Sequence, residues 1–127
     1  MIVLDASAAV AALLRDGSAR EAVGGEQLHV PHLIDAEVVQ SLRRLVATGR
    51  LPASSGQHLV TTWSELGLVR HPLHALLPRM WELRENVSAY DATYIALAEA
   101  LDCALLTADA RLARAPGTSC PITVVSS

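Results

Sequence analysis

Four acidic residues stand where their carboxylates could meet in one site. Asp5 follows a short apolar run at the start of the chain, and Asp109 comes shortly after the apolar run 104–107. Glu37 and Asp91 each lie in the opening turn of a segment with helical spacing of apolar residues. If the runs are parallel strands, their carboxyl ends and the starts of the following helices share one sheet edge. An all-oxygen cluster there would suit Mg²⁺ or Mn²⁺.

Each acid also has an explanation that needs no ligand. Asp is a favoured helix N-cap, and acids near a helix N-terminus gain about 0.3–1 kcal/mol from the helix dipole. For Asp5 or Asp109 alone, this explanation is at least as good as a functional one. Glu37 projects about 140° from the centre of its helix's apolar face, which predicts a solvated side chain. Asp91 lies only about 50° from the centre of its apolar stripe, so its burial calls for a partner or a cation.

The elements that position these acids follow from the spacing of apolar residues. Short apolar runs bounded by Gly or Pro predict strands, and a period of 3.6 residues predicts helices. The predicted strands are 1–5, 27–30, 68–72, 104–107 and 122–125. The predicted helices are 7–15, 18–23, 33–48, 54–66, 76–85, 89–101 and 110–114. This alternation indicates a three-layer α/β/α domain with a short central parallel sheet.

The composition limits the classes of function. The 127 residues are enough for one domain, 1–127, and a content of 51% hydrophobic and 18% charged residues argues against disorder. All ten cationic residues are Arg, which excludes a P-loop nucleotide site and Schiff-base chemistry because both need a Lys. Aromatic residues make up 3%, too few for a base-stacking platform. The net charge of −3 does not mark a binder of polyanions.

The cysteines and the N-terminus bear on the compartment. Cys103 and Cys120 are far apart and form no CxxC pair, which favours reduced thiols over a disulfide framework or a zinc site. The apolar stretch 6–14 is preceded by Asp5 instead of a positive charge, and it is shorter than the roughly 20 residues of a membrane span. We therefore expect a soluble cytoplasmic protein with no membrane segment.

Four segments together resemble the PIN-domain ribonucleases and, more narrowly, the VapC-type toxins of type II toxin–antitoxin pairs. They are VLDASA at 3–8, AEVVQSLRR at 36–44, SAYDATYIALAEAL at 88–101 and LLTADARLA at 105–113. The third, followed closely by LLTAD, is the most specific. The resemblance places the family's catalytic, metal-binding acids on Asp5, Glu37, Asp91 and Asp109. It matches Ser7 and Thr107 to hydroxyl positions that accompany the acids and either orient them or hold metal-bound water. Asp35 and Asp102 are interpreted as helix-end or surface acids.

The resemblance implies a Mg²⁺- or Mn²⁺-dependent endoribonuclease with a PIN-like fold. Its partners would be an RNA substrate and a cognate VapB-type antitoxin. The high mean hydropathy of so small a domain separately predicts a homodimer, because it leaves more apolar surface than one core can bury. Divalent ions would bind the scissile phosphate and activate a water molecule, and this chemistry needs no Lys. Arginines must then supply the phosphate contacts. The candidates are Arg43, Arg44, Arg84 and Arg111, each of which is also explained as a solvated surface charge.

Two other classes of function stay open. A PIN-like interaction module that cuts nothing would keep the fold, but a scaffold has no need to gather four like charges. A phosphatase of the haloacid-dehalogenase kind would use Asp5 as its nucleophile. That family needs a second Asp two residues later, where this chain has Ser7.

Overall fold

The computed structural model describes residues 1–14 and 17–126, without the side chains of residues 17–19. The strands are β1 (Ile2–Leu4), β2 (Leu28–Pro31), β3 (Val69–His71), β4 (Ala104–Thr107) and β5 (Ile122–Val124). The helices are α1 (Ala6–Leu13), α2 (Gly17–Val23), α3 (Leu33–Ala47), α4 (Ala53–Glu65), α5 (Leu77–Glu82), α6 (Ala89–Leu101) and α7 (Ala110–Ala113). Among these elements, no helix is both long and apolar enough to cross a bilayer.

The five strands form one parallel sheet in the order β3-β2-β1-β4-β5. All three residues of β1 are buried, as expected for a central strand that is covered on both faces. The chain builds outward from β1 to β3 and then returns to the other side of β1 through β4. This reversal opens a crevice outside the carboxyl ends of β1 and β4, where ligands bind in sheets of this kind. The predicted three-layer α/β fold is confirmed.

Helix α6 is the central helix of the structure. It packs against β1, β2 and β4, and its residues 92–98 are all buried. The Ser88 hydroxyl caps its N-terminus by accepting the Asp91 backbone N–H at 3.2 Å. Asp91 therefore lies in the first turn of α6 without being the cap itself. Helix α1 packs against β4 and α3.

Most predicted helices differ from the observed ones by one or two residues at an end, and one predicted helix differs by more. The predicted helix 76–85 becomes a 3₁₀ turn, His74–Leu76, followed by the short helix α5. Pro78 lies in the first turn of α5, where its missing N–H costs nothing. Helix α5 ends at Glu82, and Ser88 caps a new helix six residues later. Helix α1 begins one residue earlier than predicted, and the predicted last residue, Arg15, lies outside the described residues.

Asp35 joins three elements of the fold. Its carboxylate accepts the indole N–H of Trp63 at 2.7 Å and two guanidinium N–H groups of Arg70 at 2.8 and 2.9 Å. The Arg70 guanidinium holds the pKa of Asp35 below its ordinary value. Asp35 therefore connects α3 to α4 and β3, a role that the interpretation as a helix-end acid misses. Asp102 is a helix-end acid as predicted, the left-handed C-cap of α6 with φ of 53°.

The two tryptophans offer a matched test of the Asp35 connection. Trp63 is 4% exposed, whereas Trp81 on α5 is 68% exposed. We expect Trp63→Phe to lower the free energy of unfolding by about 1.5–3 kcal/mol, because it removes a hydrogen bond to a charged group. Trp81→Phe should stay within about 0.5 kcal/mol of wild type. Urea denaturation checks both values, and equal effects of the two substitutions would contradict the assignment.

Candidate active site

Asp5 is the most deeply placed acid of the site. It follows β1, caps α1 and is only 5% exposed. One carboxylate oxygen accepts the Ser7 hydroxyl at 2.7 Å and the Ala8 N–H at 2.9 Å, and the other accepts the Thr107 hydroxyl. Burial nevertheless outweighs these hydrogen bonds and raises the pKa of Asp5. The carboxylate is thus held in one orientation in a place that disfavours its charge.

Two hydroxyls join the ends of β1 and β4. Thr107 is fully buried at the end of β4, and its Oγ1 also accepts the Asp109 N–H at 3.0 Å. The Ser7 Oγ accepts the Ala108 N–H at 2.8 Å and lies 3.2 Å from the Thr107 Oγ1. Both hydroxyls touch Asp5, so they orient its carboxylate at the switch point of the sheet.

Asp91 and Glu37 complete the cluster from α6 and α3. Burial is the largest cause of a raised pKa at each, and neighbouring acids raise both pKa values further. Asp91 feels the charges of Asp5 and Asp109, and Glu37 feels those of Asp91 and Asp5. The structure therefore brings the four predicted acids within electrostatic range of one another at the predicted sheet edge.

Glu37 is not the solvated side chain that helical spacing predicts. The prediction that it lies in the opening turn of its helix is also wrong, because α3 begins at Leu33 and Glu37 lies in its second turn. The side chain is partly buried, and its carboxylate accepts the Tyr94 hydroxyl. The helical spacing places Val38, Val39, Leu42, Leu45 and Val46 on the apolar face of this helix. That stripe is misplaced, because Val39 is 46% exposed while Ile34 and Val38 are fully buried. Measured from the stripe that is buried, Glu37 projects about 100° from the centre, at the flank of the helix. The burial of α3 against its neighbours thus turns Glu37 toward α6.

Asp109 is paired with an arginine of its own helix. It caps α7, and its carboxylate accepts the Arg111 backbone N–H at 3.0 Å. The guanidinium of Arg111 donates to both carboxylate oxygens, from Nε at 3.2 Å and from Nη2 at 3.3 Å. This pairing is the main cause of the lowered pKa of Asp109. The Arg111 side chain is 85% exposed, so the pair is open to exchange with another cation.

The donor set suits a hard divalent cation. It consists of carboxylate and hydroxyl oxygens, and three of its four acids carry a raised pKa that a nearby cation would reverse. Within the described residues, no three Asp, Glu, His or Cys side chains already surround a point that could hold an ion. An ion held by three of these carboxylates would require side-chain movements, and one held by Asp109 would compete with Arg111.

Comparisons with known proteins identify the fold family. The PIN domain family matches residues 2–117. The chain belongs to the PIN-domain family. Ribonuclease VapC9 of Mycobacterium tuberculosis is 56% identical over 125 residues, which cover 98% of each chain. Ribonuclease VapC1 of the same species is 42% identical over 129 residues, 97% of this chain and 96% of that one.

A solved structure shows the same fold at low sequence identity. A chain of a toxin–antitoxin complex from Klebsiella pneumoniae superposes on this PIN domain with a TM-score of 0.74. The two chains are 15% identical, and the superposition covers 100% of each. This superposition shows the shared fold. The VapC relatives at 56% and 42% identity confirm the resemblance to VapC-type PIN domains that four sequence segments indicate.

The predicted phosphate-binding arginines of this PIN domain have different surroundings. Arg43 and Arg44 are exposed on α3. The Arg84 guanidinium lies 4.7 Å from the centre of the Trp81 ring and donates to the Trp81 carbonyl at 3.0 Å. Only Arg111 of these four donates to a cluster acid within the part of the chain that the structure describes. It lines a shallow groove beside Asn86, Val87, Asp91, Asp109, Leu112 and Ala115.

Sequence reasoning missed two contacts of this site. The first is the hydrogen bond from Tyr94 to Glu37, although a buried Tyr hydroxyl usually needs a partner. Tyr94 also follows Asp91 by three residues on α6, so the two side chains share one face of that helix. The second is the pairing of Arg111 with Asp109, which the short spacing could have suggested.

The ion pair between Arg111 and Asp109 should compete with the binding of a metal ion, and this competition can be tested. We expect Arg111→Gln to raise the affinity of the protein for Mn²⁺ several-fold, because it frees Asp109 and removes a positive charge near Asp91. Calorimetric Mn²⁺ titration checks this, with Arg44→Gln as an exposed control on α3. An Arg111→Gln protein that binds Mn²⁺ no better than the control would contradict the competition.

Proposed function

We propose that this chain is a metal-dependent endoribonuclease and the toxin component of a type II toxin–antitoxin system. The observation that carries the proposal is the convergence of four carboxylates at the switch point between β1 and β4. The names of its close relatives, Ribonuclease VapC9 and Ribonuclease VapC1, support RNA as the substrate. Hydrolysis of a phosphodiester bond uses such a cluster without a Lys or a covalent nucleophile.

The catalytic and metal-binding residues of the proposal are Asp5, Glu37, Asp91 and Asp109. A bound Mg²⁺ or Mn²⁺ would polarise the scissile phosphate and activate a water molecule as the nucleophile at neutral pH. Ser7 and Thr107 would hold the Asp5 carboxylate in place, as their hydrogen bonds support. One of the carboxylates would accept the proton of the attacking water.

Substrate binding would begin at the rim of the acidic cluster. Arg111 would move from Asp109 to the RNA backbone when an ion binds, because the ion neutralises the carboxylate that now holds it. Arg43, Arg44 and Arg84 would supply further phosphate contacts. The net charge of −3 opposes RNA binding by the metal-free chain, and two bound Mg²⁺ would bring it to +1.

The proposed partners are a VapB-type antitoxin and a second copy of the chain. The Klebsiella pneumoniae structure is a toxin–antitoxin complex, which supports an antitoxin partner for this PIN domain. Exposed apolar side chains support a homodimer, among them Leu77 at 54% and Trp81 at 68% on α5. We place the single domain, 1–127, in the cytoplasm. Light scattering at micromolar concentration tests the dimer, and a monomer there would contradict it.

Cleavage of total bacterial RNA by the purified, antitoxin-free protein tests the proposal. We expect discrete cuts with Mg²⁺ or Mn²⁺ and none with EDTA or in Asp5→Asn. Asp102→Asn is the matched control, because Asp102 is exposed and Asn tolerates its left-handed backbone. A folded protein that binds Mn²⁺ yet cuts no RNA would instead support the interaction module.

A further inference from the structure

Tyr94 on α6 donates a hydrogen bond to Glu37, one of the four acids of the cluster. The residue is 2% exposed in the middle of α6, and its hydroxyl donates to the Oε1 of Glu37 on α3. The phenol hydroxyl is the donor of this contact, because an ionised carboxylate can only accept. The contact joins two helices that lie 57 residues apart along the chain.

Glu37 depends on such a contact more than Asp5 and Asp109 do. Asp5 and Asp109 are short side chains that cap helices and are oriented by backbone N–H groups. The longer Glu37 side chain projects from the flank of α3 and has three torsions to restrain. Nearby charges on Asp91 and Asp5 also repel its carboxylate. A hydroxyl donor offsets this repulsion and occupies only one of the two carboxylate oxygens, Oε1.

The position of Tyr94 on α6 also determines where the Glu37 carboxylate lies. Tyr94 follows Asp91 by one helical turn, so the two side chains lie on the same face of α6. The hydroxyl thereby places the Glu37 carboxylate at a defined point beside Asp91. A buried phenol that needed only some acceptor could have used a backbone carbonyl or a water molecule.

We propose that Tyr94 is a positioning residue of the acidic cluster, whose hydroxyl holds Glu37 where it binds a divalent cation together with Asp91 and Asp5. The proposal rests on the proposed function, because it takes the four acids to be a metal site. It adds a fifth side chain, which is not itself a ligand, to the set that determines metal affinity.

The test compares Tyr94→Phe with Tyr90→Phe, a control on the same helix that is 61% exposed. Mn²⁺ binding is measured by calorimetry on protein shown to be folded by circular dichroism. We expect Tyr94→Phe to bind Mn²⁺ about 10- to 100-fold more weakly than wild type, the usual loss when a supporting hydrogen bond to a ligand is removed. Tyr90→Phe should bind Mn²⁺ like wild type.

A double-substitution cycle separates positioning from a merely structural role. In a Glu37→Gln background, Tyr94→Phe should cause little further loss of Mn²⁺ affinity, because the carboxylate that it positions is gone. If Tyr94→Phe does not fold, Glu37→Asp replaces it, since the shorter carboxylate cannot reach both Tyr94 and the cluster. That variant should lose Mn²⁺ affinity to a similar degree.

Three outcomes overturn the assignment. They are wild-type Mn²⁺ affinity in folded Tyr94→Phe, wild-type affinity in Glu37→Asp, and an equal loss from Tyr94→Phe with and without Glu37. If the wild-type protein binds Mn²⁺ with the expected dependence on Tyr94 but cuts no RNA, the positioning role stands and the nuclease proposal fails. If the wild-type protein binds no Mn²⁺, both proposals fail.

Discussion

Replacing Asp91 by Asn is expected to lower the rate of RNA cleavage by at least roughly 100-fold while making the metal-free protein more stable. We expect this loss of activity because Asp91 would bind the metal ion directly. Removing a group that only supports a metal ligand already lowers metal affinity or activity about 10- to 100-fold. The gain in stability follows from the surroundings of the carboxylate. Burial and the charges of Asp5 and Asp109 raise the pKa of Asp91, so its charged form is unfavourable in the folded chain.

The pH dependence of this gain has a definite sign. A carboxyl whose pKa is raised by folding binds more protons in the folded than in the unfolded state, so its charge destabilises the fold above the folded pKa. The destabilisation disappears as the pH falls through that pKa. Asp91→Asn should therefore exceed wild type in stability most above pH 7 and match it near pH 4. Glu37 adds to the same trend, because the charge of Asp91 also raises the pKa of Glu37.

Thermal unfolding in EDTA at several pH values measures this difference. Mn²⁺ should then stabilise the wild type more than the variant, because an ion that binds only the folded state raises its stability by mass action. Asp102→Asn again serves as the control for the loss of one negative charge. A variant less stable than wild type at pH 8 in EDTA, or one that cuts RNA at the wild-type rate, would show that Asp91 is a structural acid.

Replacing Thr107 by Val is expected to have the opposite effect on stability. Val keeps the shape of the fully buried side chain but removes the hydroxyl that donates to Asp5 and accepts the Asp109 N–H. Asp5 is itself 5% exposed, so the lost donor should cost about 1–3 kcal/mol of unfolding free energy. Mn²⁺ affinity should fall about 10- to 100-fold, because Asp5 loses the contact that orients it.

Thr107→Ser is the matched control, since it keeps the hydroxyl and loses only a methyl group. The Thr107 hydrogen bond lowers the pKa of Asp5 against the larger effect of burial. Its loss should raise the pKa of Asp5 further, so the destabilisation should be larger at pH 8 than near pH 4. Urea denaturation at both pH values, with calorimetric Mn²⁺ titration, measures these effects. Similar behaviour of Val and Ser at position 107 would rule out the orienting role.

Much of this fold could be predicted because its signals are local. The apolar runs of β1 and β4 mark buried parallel strands, and the residues that follow them, Asp5 and Asp109, must lie at the carboxyl edge of the sheet. The small and aliphatic residues of α6 predict a buried helix, and Asp91 at its start conflicts with that burial unless it has a function. These inferences depend only on neighbours along the chain.

The partners of the acids depend on packing instead. Thr107 orients Asp5 across 102 residues because the strand order places β4 beside β1, and no periodicity states which strands are neighbours. Glu37 faces Tyr94 because burial of Ile34 and Val38 sets the rotation of α3 about its axis. Apolar spacing leaves that rotation ambiguous when both flanks of a helix carry aliphatic residues. The residue types of the site can thus be predicted from the local sequence, whereas the orientation of their side chains is set by contacts between distant segments.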